Sequence, residues 1–540
     1  MLKRRAEARK ILGAASIAFV TYLAQGAWAT TVYVDISGLY WPSAYRFIQH
    51  GIDAASDGDT VQVMSSGAYA ENIHFHGKNI VVTGIGPTVI HGRGDGPTVT
   101  FAGTEGQTCV LQGFIIQGGI ADYGGGICGG DEDNHTHATI ANNVIAGNQA
   151  TWGGGIAYCD GVIRGNTIVQ NYAVSAGGGL SDCGGTILSN TIASNSAAYS
   201  GGGLNDCNAR ILNNTIATNH SATKGGGLYN CDGLIQNNTI GGNSAGEDGG
   251  GLAYCSDGTI KDNTISGNSA AGDLGGGGLY LCSTIQNNTI TGNSADREGG
   301  GLRTCNTIQS NIIAGNSAGS SGGGLSRCHT IRNNTIADNS ATQSGGGLYE
   351  CSSISSNCIL WGNTAGNGPQ LYQLAVPEYS CIEGWTGDPF KRNISEDPQF
   401  VDPDGPDNDP KTYEDNNYRL SYGSPCIDEG SNSALGTPPG LDLDSNLRVV
   451  MGRRSLTVDM GAYEYNSGPI EIQAILRFGA SAVQLMWRSQ PNDTYTVWSR
   501  ADLLTGTWIE EGTVPSHGAE TPWIDAAAGG HMKFYRVEMK

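Results

Sequence analysis

Apolar residues along most of this chain come as single Ile or Leu positions separated by short polar gaps, and the gaps repeat. The phrase Ile-x-x-Asn-Thr-Ile-x-x-Asn-Ser-Ala, as at Ile235 to Ala245, alternates with Gly-Gly-Gly-Leu-x-x-Cys, as at Gly225 to Cys231. The glycine-to-cysteine phrase, with Ile or Leu in its fourth place, occurs nine times between Gly153 and Cys351. Cys159, Cys183, Cys207, Cys231 and Cys255 lie 24 residues apart; after a longer step to Cys282, Cys305, Cys328 and Cys351 follow every 23. A period of that length marks a solenoid. Runs such as Leu234-Ile235 and Thr239-Ile240 are too short between glycines to make a helix. Leucine-rich repeats need denser Leu, and a calcium-binding roll would repeat roughly every nine residues. The predicted fold is all-β, a parallel β-helix whose strands stack about 4.8 Å apart.

Stacking turns sequence positions into columns. The Ile and Leu positions become interior rows. Asn190, Asn214, Asn238, Asn263, Asn288, Asn311, Asn334 and Asn357 are expected in one column after the Ile. There Asn tolerates left-handed backbone at a corner, and its amide bonds to the coils above and below. The three glycines permit a sharp turn or a close backbone approach. Cysteines form the last row. Their Cα spacing of about 4.8 Å falls inside the disulfide window of roughly 4.4–6.8 Å. Buried thiols also serve as small core residues, and free thiols are expected in the array. A Cys381–Cys426 bridge is a separate option.

The ends of the array differ. Residues 30–108 read as an N-terminal cap and first coils: strands at Thr31–Asp35 and Thr60–Met64, and a helix over Ser43–Ala55 with Phe47, Ile48 and Ile52 on one face. A cap there covers the open end of the solenoid. The regular repeats span 109–366, and terminal irregular coils with Asp-Pro loops span 367–465. After a linker at Asn466–Pro469, residues 470–540 alternate as strands of a small β-sandwich module. Its Trp487, Trp498, Trp508 and Trp523 are expected mostly in that module's core, with sugar binding as the other use.

Charge narrows the partners. Only 15% of residues are charged, and the net charge is −21. Nucleic acid and anionic membrane surfaces select basic patches, so neither is an expected partner. The first 29 residues read as a signal peptide: Lys3, Arg4, Arg5, Arg9 and Lys10, an apolar run from Ile11 to Ala24, and Ala27-Trp28-Ala29 as the cleavage site, with cleavage after Ala29. The mature protein is then periplasmic, surface-attached or secreted, with no later transmembrane span, and is expected to be a monomer.

These residues resemble known families. The Gly-Gly-Gly-Ile/Leu and Ile-x-x-Asn phrases resemble the paired repeats of polymorphic outer-membrane autotransporter proteins. The opening phrases Tyr33-Val34-Asp35, Ile52-Asp53-Ala54-Ala55, Asp57-Gly58-Asp59-Thr60-Val61 and Tyr69-Ala70-Glu71-Asn72-Ile73 are similar to those of pectin-lyase-like right-handed β-helix proteins secreted by bacteria. Ser424-Pro425-Cys426-Ile427-Asp428 and Asp459-Met460-Gly461-Ala462-Tyr463 resemble a frequent close of that group. The resemblance spans residues 31–465 and implies a right-handed coil. It implies no single activity, because this fold hosts lyases, hydrolases, esterases and adhesins.

Chemistry is sought in the variable pair before each cysteine. Its second position reads Tyr158, Asp182, Asp206, Asn230, Tyr254, Leu281, Thr304, Arg327 and Glu350. Asp182, Asp206 and Asn230 come from consecutive coils and are candidate Ca²⁺ ligands. A lyase resembling pectate lyases would use such carboxylates to hold calcium against a uronate, with an Arg or Lys as base. Arg210 and Lys224 are the nearest basic residues in sequence. Asp182 and Asp206 also meet the spacing a glycoside hydrolase needs, about 5–9.5 Å. A solvated polar stripe explains the same column. Tyr158 and Tyr254 are candidate ligand-binding residues, and the loop Asp131-Glu132-Asp133 before His135 and His137 is a further metal candidate. The expected function is an exported binding and adhesion scaffold directed at carbohydrate. The alternatives are a Ca²⁺-dependent uronate lyase and a purely structural envelope protein.

Overall fold

The columns read from the sequence become stacked strands. The computed structural model describes residues 29–38, 43–352, 355–373, 376–409, 412–413, 415–436, 440–450, 456–465, 472–478, 482–488, 494–501, 507–516, 520–526 and 533–539. The basic and apolar opening segment and the linker at Asn466–Pro469 lie outside them. Each regular coil contributes four short strands. In one coil these are Thr186–Leu188, Thr191–Ala193, Ser196–Ala197 and Leu204–Asn205. Each pairs in parallel with its equivalent one coil on: Ile187 faces Ile211, Ala197 faces Ser221, and Leu204 faces Leu228. Among the described residues the strands form three long parallel sheets of 26, 10 and 13 strands. The first takes two strands from each coil, and the chain is a parallel β-helix.

The interior is one continuous core from Val34 to Ile382. Rows such as Ile187, Ile211, Ile235 and Ile260, or Leu180, Leu204, Leu228 and Leu252, are fully buried. Each such side chain contributes about 1.5–3 kcal/mol of burial free energy. The cysteine row lies inside with them. All 14 cysteines are free and buried, Cys381 and Cys426 included.

Asparagine amides seal the corners. Asn214 Nδ2 donates to Ile187 O at 2.8 Å and to Asn238 Oδ1 at 3.1 Å, while Asn214 Oδ1 accepts from Asn190 N and Nδ2 at 2.8 and 3.0 Å. A second ladder through Asn195, Asn219 and Asn243 repeats the pattern. Two details correct the expectation. The left-handed residue is the one before each ladder Asn: Ser189, Asn213, Asn237 and Asp262 have φ between 53° and 57°. Asn357 belongs to that preceding column. An extra residue slips the register, so Ile331 faces Ser355 and Thr335 faces Ile359, and Cys358 takes the place of the ladder Asn.

The N-terminal cap is a single helix, Ile48–Ala54, shorter than predicted. Ser43 does not open it. The Glu71 carboxylate does, accepting from Ile48 N at 2.8 Å and Gln49 N at 3.1 Å, as an acidic group at a helix N-terminus should. Ile48 and Ile52 are buried on the first coil, whereas Phe47 faces water.

At the other end the strands stack to Cys381–Ile382. Residues 400–465 then fold back along the outside of the 26-stranded sheet. Tyr418 and Ala462 pack on Ile312, Ala314 and Ala337, Tyr418 OH donates to Asp338 at 3.1 Å, and Ala462 N donates to Thr335 Oγ1 at 3.1 Å. A buried arginine–carboxyl contact pins this clasp: Arg448 Nε lies 3.1 Å from Glu464 Oε1, both side chains fully enclosed, and burial favours the protonated form of Glu464. The last segment forms two three-stranded antiparallel sheets. They share one core of Leu485, Trp487, Tyr495 and Val497. Trp487 is buried there and Trp523 packs against it, whereas Trp498 and Trp508 lie under the guanidinium of Arg536.

Candidate functional site

A groove along the solenoid gathers most of the predicted residues, and the triple glycine makes it. The first glycine is left-handed (Gly177 φ +71°), and a Cβ there would sit 2.4 Å from Leu180 O. A Cβ on Gly178 would meet Gly202 O at 2.4 Å, and one on Gly179 would meet Gly203 O at 2.6 Å. Successive coils therefore touch backbone to backbone here, and only glycine fits. With no side chains on the bottom, the flanking residues stand as walls. One wall is the residue before each triple glycine. The other is the variable pair after the aliphatic residue.

The second residue of the pair is left-handed in every coil: Asp182 φ 54°, Asp206 52°, Asn230 52°, but also Tyr158 60°, Leu281 50° and Thr304 51°. Asp and Asn suit that backbone. This accounts for part of the acidic column without any ligand.

At the N-terminal end the walls enclose a cavity of about 260 Å³ lined by Tyr123, Glu132, Trp152, Tyr158, Asp182 and Asp206, with Ala157 and Ser181 beneath. Tyr123 and Trp152 are register partners in adjacent strands, and their rings are 40% and 37% exposed. Tyr158 is buried, its ring 5.1 Å from Tyr123 and 4.9 Å from His135. His135 Nδ1 pairs with Asp160 at 3.2 Å. Asp206 is engaged at both oxygens, by the amides of Asn230 and Asn205, the latter at 2.7 Å. Asp182 opens onto the groove. Desolvation by the walls, then the neighbouring Cys207 and Asp206, push its pKa upward.

Farther along, Lys224 Nζ donates to Tyr254 OH at 3.1 Å and lies 3.8 Å from Asp248 and 4.0 Å from Glu247. Tyr229, Tyr254 and Tyr280 follow one another at 5.4 and 5.5 Å between ring centres. Burial pushes the Tyr280 hydroxyl up to about 12. Then Glu298 takes Arg303 at 3.3 Å and Arg327 at 3.4 Å, Arg327 reaches Glu350 at 2.9 Å, and Tyr349 stacks on Tyr372. The groove is thus a polar channel with tyrosines along its length.

Residues 196–345 match the family model for NosD, described as a periplasmic copper-binding protein. No curated protein matches the chain. The matched stretch is the regular array, and the likeness is consistent with a periplasmic or secreted protein. No helix among the described residues is long and apolar enough to cross a membrane. The donor set does not fit a copper site. The thiols of the matched stretch are sealed in the core, His220 and His329 are turned to serine hydroxyls, and no three His, Cys, Asp or Glu side chains among the described residues converge on a metal.

Of the predicted residues, Tyr158, Asp182 and Asp206 share the cavity and Asn230 touches Asp206, with its amide nitrogen turned toward the carboxylate. Tyr254 and Lys224 meet each other two coils on. Arg210 is elsewhere, on the strand Arg210–Leu212 of the 26-stranded sheet. The acidic loop is a small hairpin in which Asp131 Oδ1 accepts from Asp133 N and Asn134 N, and it sends Glu132 to the cavity. Sequence reasoning missed Tyr123, Trp152 and Glu298. The signal was present: each stands directly before a triple glycine, as do Lys224 and Asp248. A larger hollow of about 690 Å³ lies at the C-terminal end, walled by Leu371, Ile382, Glu383 and Trp385. It is the tapering mouth of the solenoid. Leu371 and Trp385 pack on the interior core, and Glu383 Oε2 is committed to Gly362 N and Gln370 Nε2. The groove carries the more specific chemistry.

Proposed function

We propose that the protein is an exported β-helix scaffold that binds carbohydrate along this groove, acting as an adhesion or retention surface outside the cytoplasm. One observation carries the reading: two exposed rings, Tyr123 and Trp152, stand side by side on adjacent coils and line the same cavity as Glu132, Asp182 and Asp206. Aromatic faces take up the apolar faces of pyranose rings, and fixed polar groups at the edge set orientation. Coil spacing of about 4.8 Å is close to the length of one sugar unit, so a linear glycan lying along the axis advances about one unit per rung and meets Tyr123 and Trp152 in turn. The tyrosines at 229, 254, 280, 349 and 372 extend the same track.

Calorimetric titration with a panel of soluble polysaccharides tests this. Retention of a glycan without turnover, weakened about tenfold or more in Trp152→Ala, is the expected result. Ultraviolet absorbance of an unsaturated product, appearing with calcium and abolished in Asp206→Ala, would instead establish the uronate lyase. No binding of any glycan would leave a structural envelope protein.

A further inference from the structure

Charge around the cavity identifies the kind of glycan. From Gly94 to Ala209 the chain carries nine carboxylates (Asp95, Glu105, Asp122, Asp131, Glu132, Asp133, Asp160, Asp182 and Asp206) and one basic side chain, Arg164. Arg164 belongs to the 26-stranded sheet, on the strand Val162–Arg164, and not to the groove. His135 is turned to Asp160. Glu132, Asp182 and Asp206 all line the cavity beneath the rings of Tyr123 and Trp152. Asp206 is held by two amides, whose uncharged donors leave its negative charge uncompensated, and among the described residues Asp182 makes no ion pair within 4 Å, His135 being the basic group that bears on it from a distance. A uronate entering this space would bring its carboxylate against like charge. A neutral sugar would leave the carboxylates facing no counter-charge.

We infer that the N-terminal third of the groove binds a glycan bearing free amines, such as a run of deacetylated glucosamine units. This rests on the carbohydrate reading above and narrows it. The rings of Tyr123 and Trp152 stack on the pyranose faces while the ammonium on the sugar edge meets Asp182 and the Asp206 edge. That contact is a charge-assisted hydrogen bond in a partly enclosed site, stronger than a neutral one. On the next coil the position of Trp152 is taken by Ala176, so the stacking surface is these two rings. Farther along, Lys224, Arg303 and Arg327 already neutralise their carboxylates, so the preference for amines belongs to the first coils.

The test is titration of the full chain at mildly acidic pH with three hexasaccharides: fully deacetylated glucosamine, its N-acetylated form, and oligogalacturonate with and without calcium. The deacetylated hexamer should bind about tenfold or more tightly than the acetylated one, and that margin should shrink with added salt. Asp182→Asn with Asp206→Asn keeps shape and suits the left-handed backbone. It should abolish the margin, bringing the two hexamers to within about twofold of each other. Trp152→Ala should weaken both hexamers, and unchanged circular dichroism confirms that each variant folds. Equal binding of the two hexamers overturns the amine inference and leaves the carbohydrate reading standing, as does a preference for oligogalacturonate. Failure of all three to bind, with other glycans also inert, removes the carbohydrate reading itself.

Discussion

Replacing one rung of the asparagine ladder puts the account of the fold to a quantitative test. Asn214 is 2% exposed. Asn214→Ala takes the Oδ1 acceptor from Asn190 N and Nδ2 and the Nδ2 donor from Ile187 O and Leu212 O. The Asn190 N–H is the severest loss, because its bond to Asn214 Oδ1 at 2.8 Å replaces the usual strand partner at this corner. One orphaned buried donor costs about 1–3 kcal/mol, and the remaining half-satisfied groups and the small void add about 1 kcal/mol more. The expected loss is about 2–4 kcal/mol, read from the shift of the urea midpoint by circular dichroism at constant slope. Thr215→Ala, an exposed neighbour, should change stability by less than about 0.5 kcal/mol. Asn214→Asp retains the acceptor but buries a charge opposite carbonyl oxygens, so it should be at least as damaging at neutral pH and recover partly in acid. A cost below about 1 kcal/mol for Asn214→Ala would refute the reasoning, because the ladder would then be decoration on a fold held by its aliphatic rows.

Three further outcomes follow from the structure. Leu281 holds a left-handed backbone (φ 50°) that suits Asn far better, so Leu281→Asn should raise stability by about 1 kcal/mol in the same urea assay. In the clasp, burial pushes Asp459 up to about 7 and Glu464 up to about 9, with neighbouring carboxylates adding like charge, and Arg448 and backbone N–H donors opposing it only in part. The folded state therefore binds more protons than the unfolded one, and stability falls as pH rises from about 5 toward 9; hydrogen exchange across residues 400–465 should quicken over that range, and in Glu464→Gln the part above about pH 7 should be lost while the part from Asp459 remains. Finally, the buried thiols should resist maleimide in the native protein and all 14 should react after denaturation; burial, with neighbouring acidic groups adding to it, pushes Cys109 up to about 12 and Cys128 to about 11.

The repeat made the architecture legible, because a fixed period forces like residues into columns whatever each side chain prefers. It gave the aliphatic rows, the amide ladder and the buried thiols directly. It misplaced Asn357, since spacing alone does not show a one-residue slip such as the one that sets Thr335 opposite Ile359. The groove was half visible. Tyr158, Asp182 and Asp206 stood in one column, but the facing wall comes from residues before the next coil's turn. Tyr123 and Trp152 join it only because the glycines bring the two walls together. Arg210 shows the opposite error: it is four residues from Asp206 in sequence yet on a different sheet. The clasp over 400–465 was not legible, because its contacts with Ile312, Thr335 and Asp338 are long-range and aperiodic.

The central claim is that the groove is the working surface. Hydrogen–deuterium exchange with and without saturating deacetylated glucosamine oligomer tests it most directly. Slowed exchange should be confined to the groove walls at residues 120–132, 149–158, 180–182 and 204–206, with the outer strands of the 26-stranded sheet unchanged. Protection spread over that outer sheet or over the C-terminal module, with the groove walls unaffected, would contradict the account.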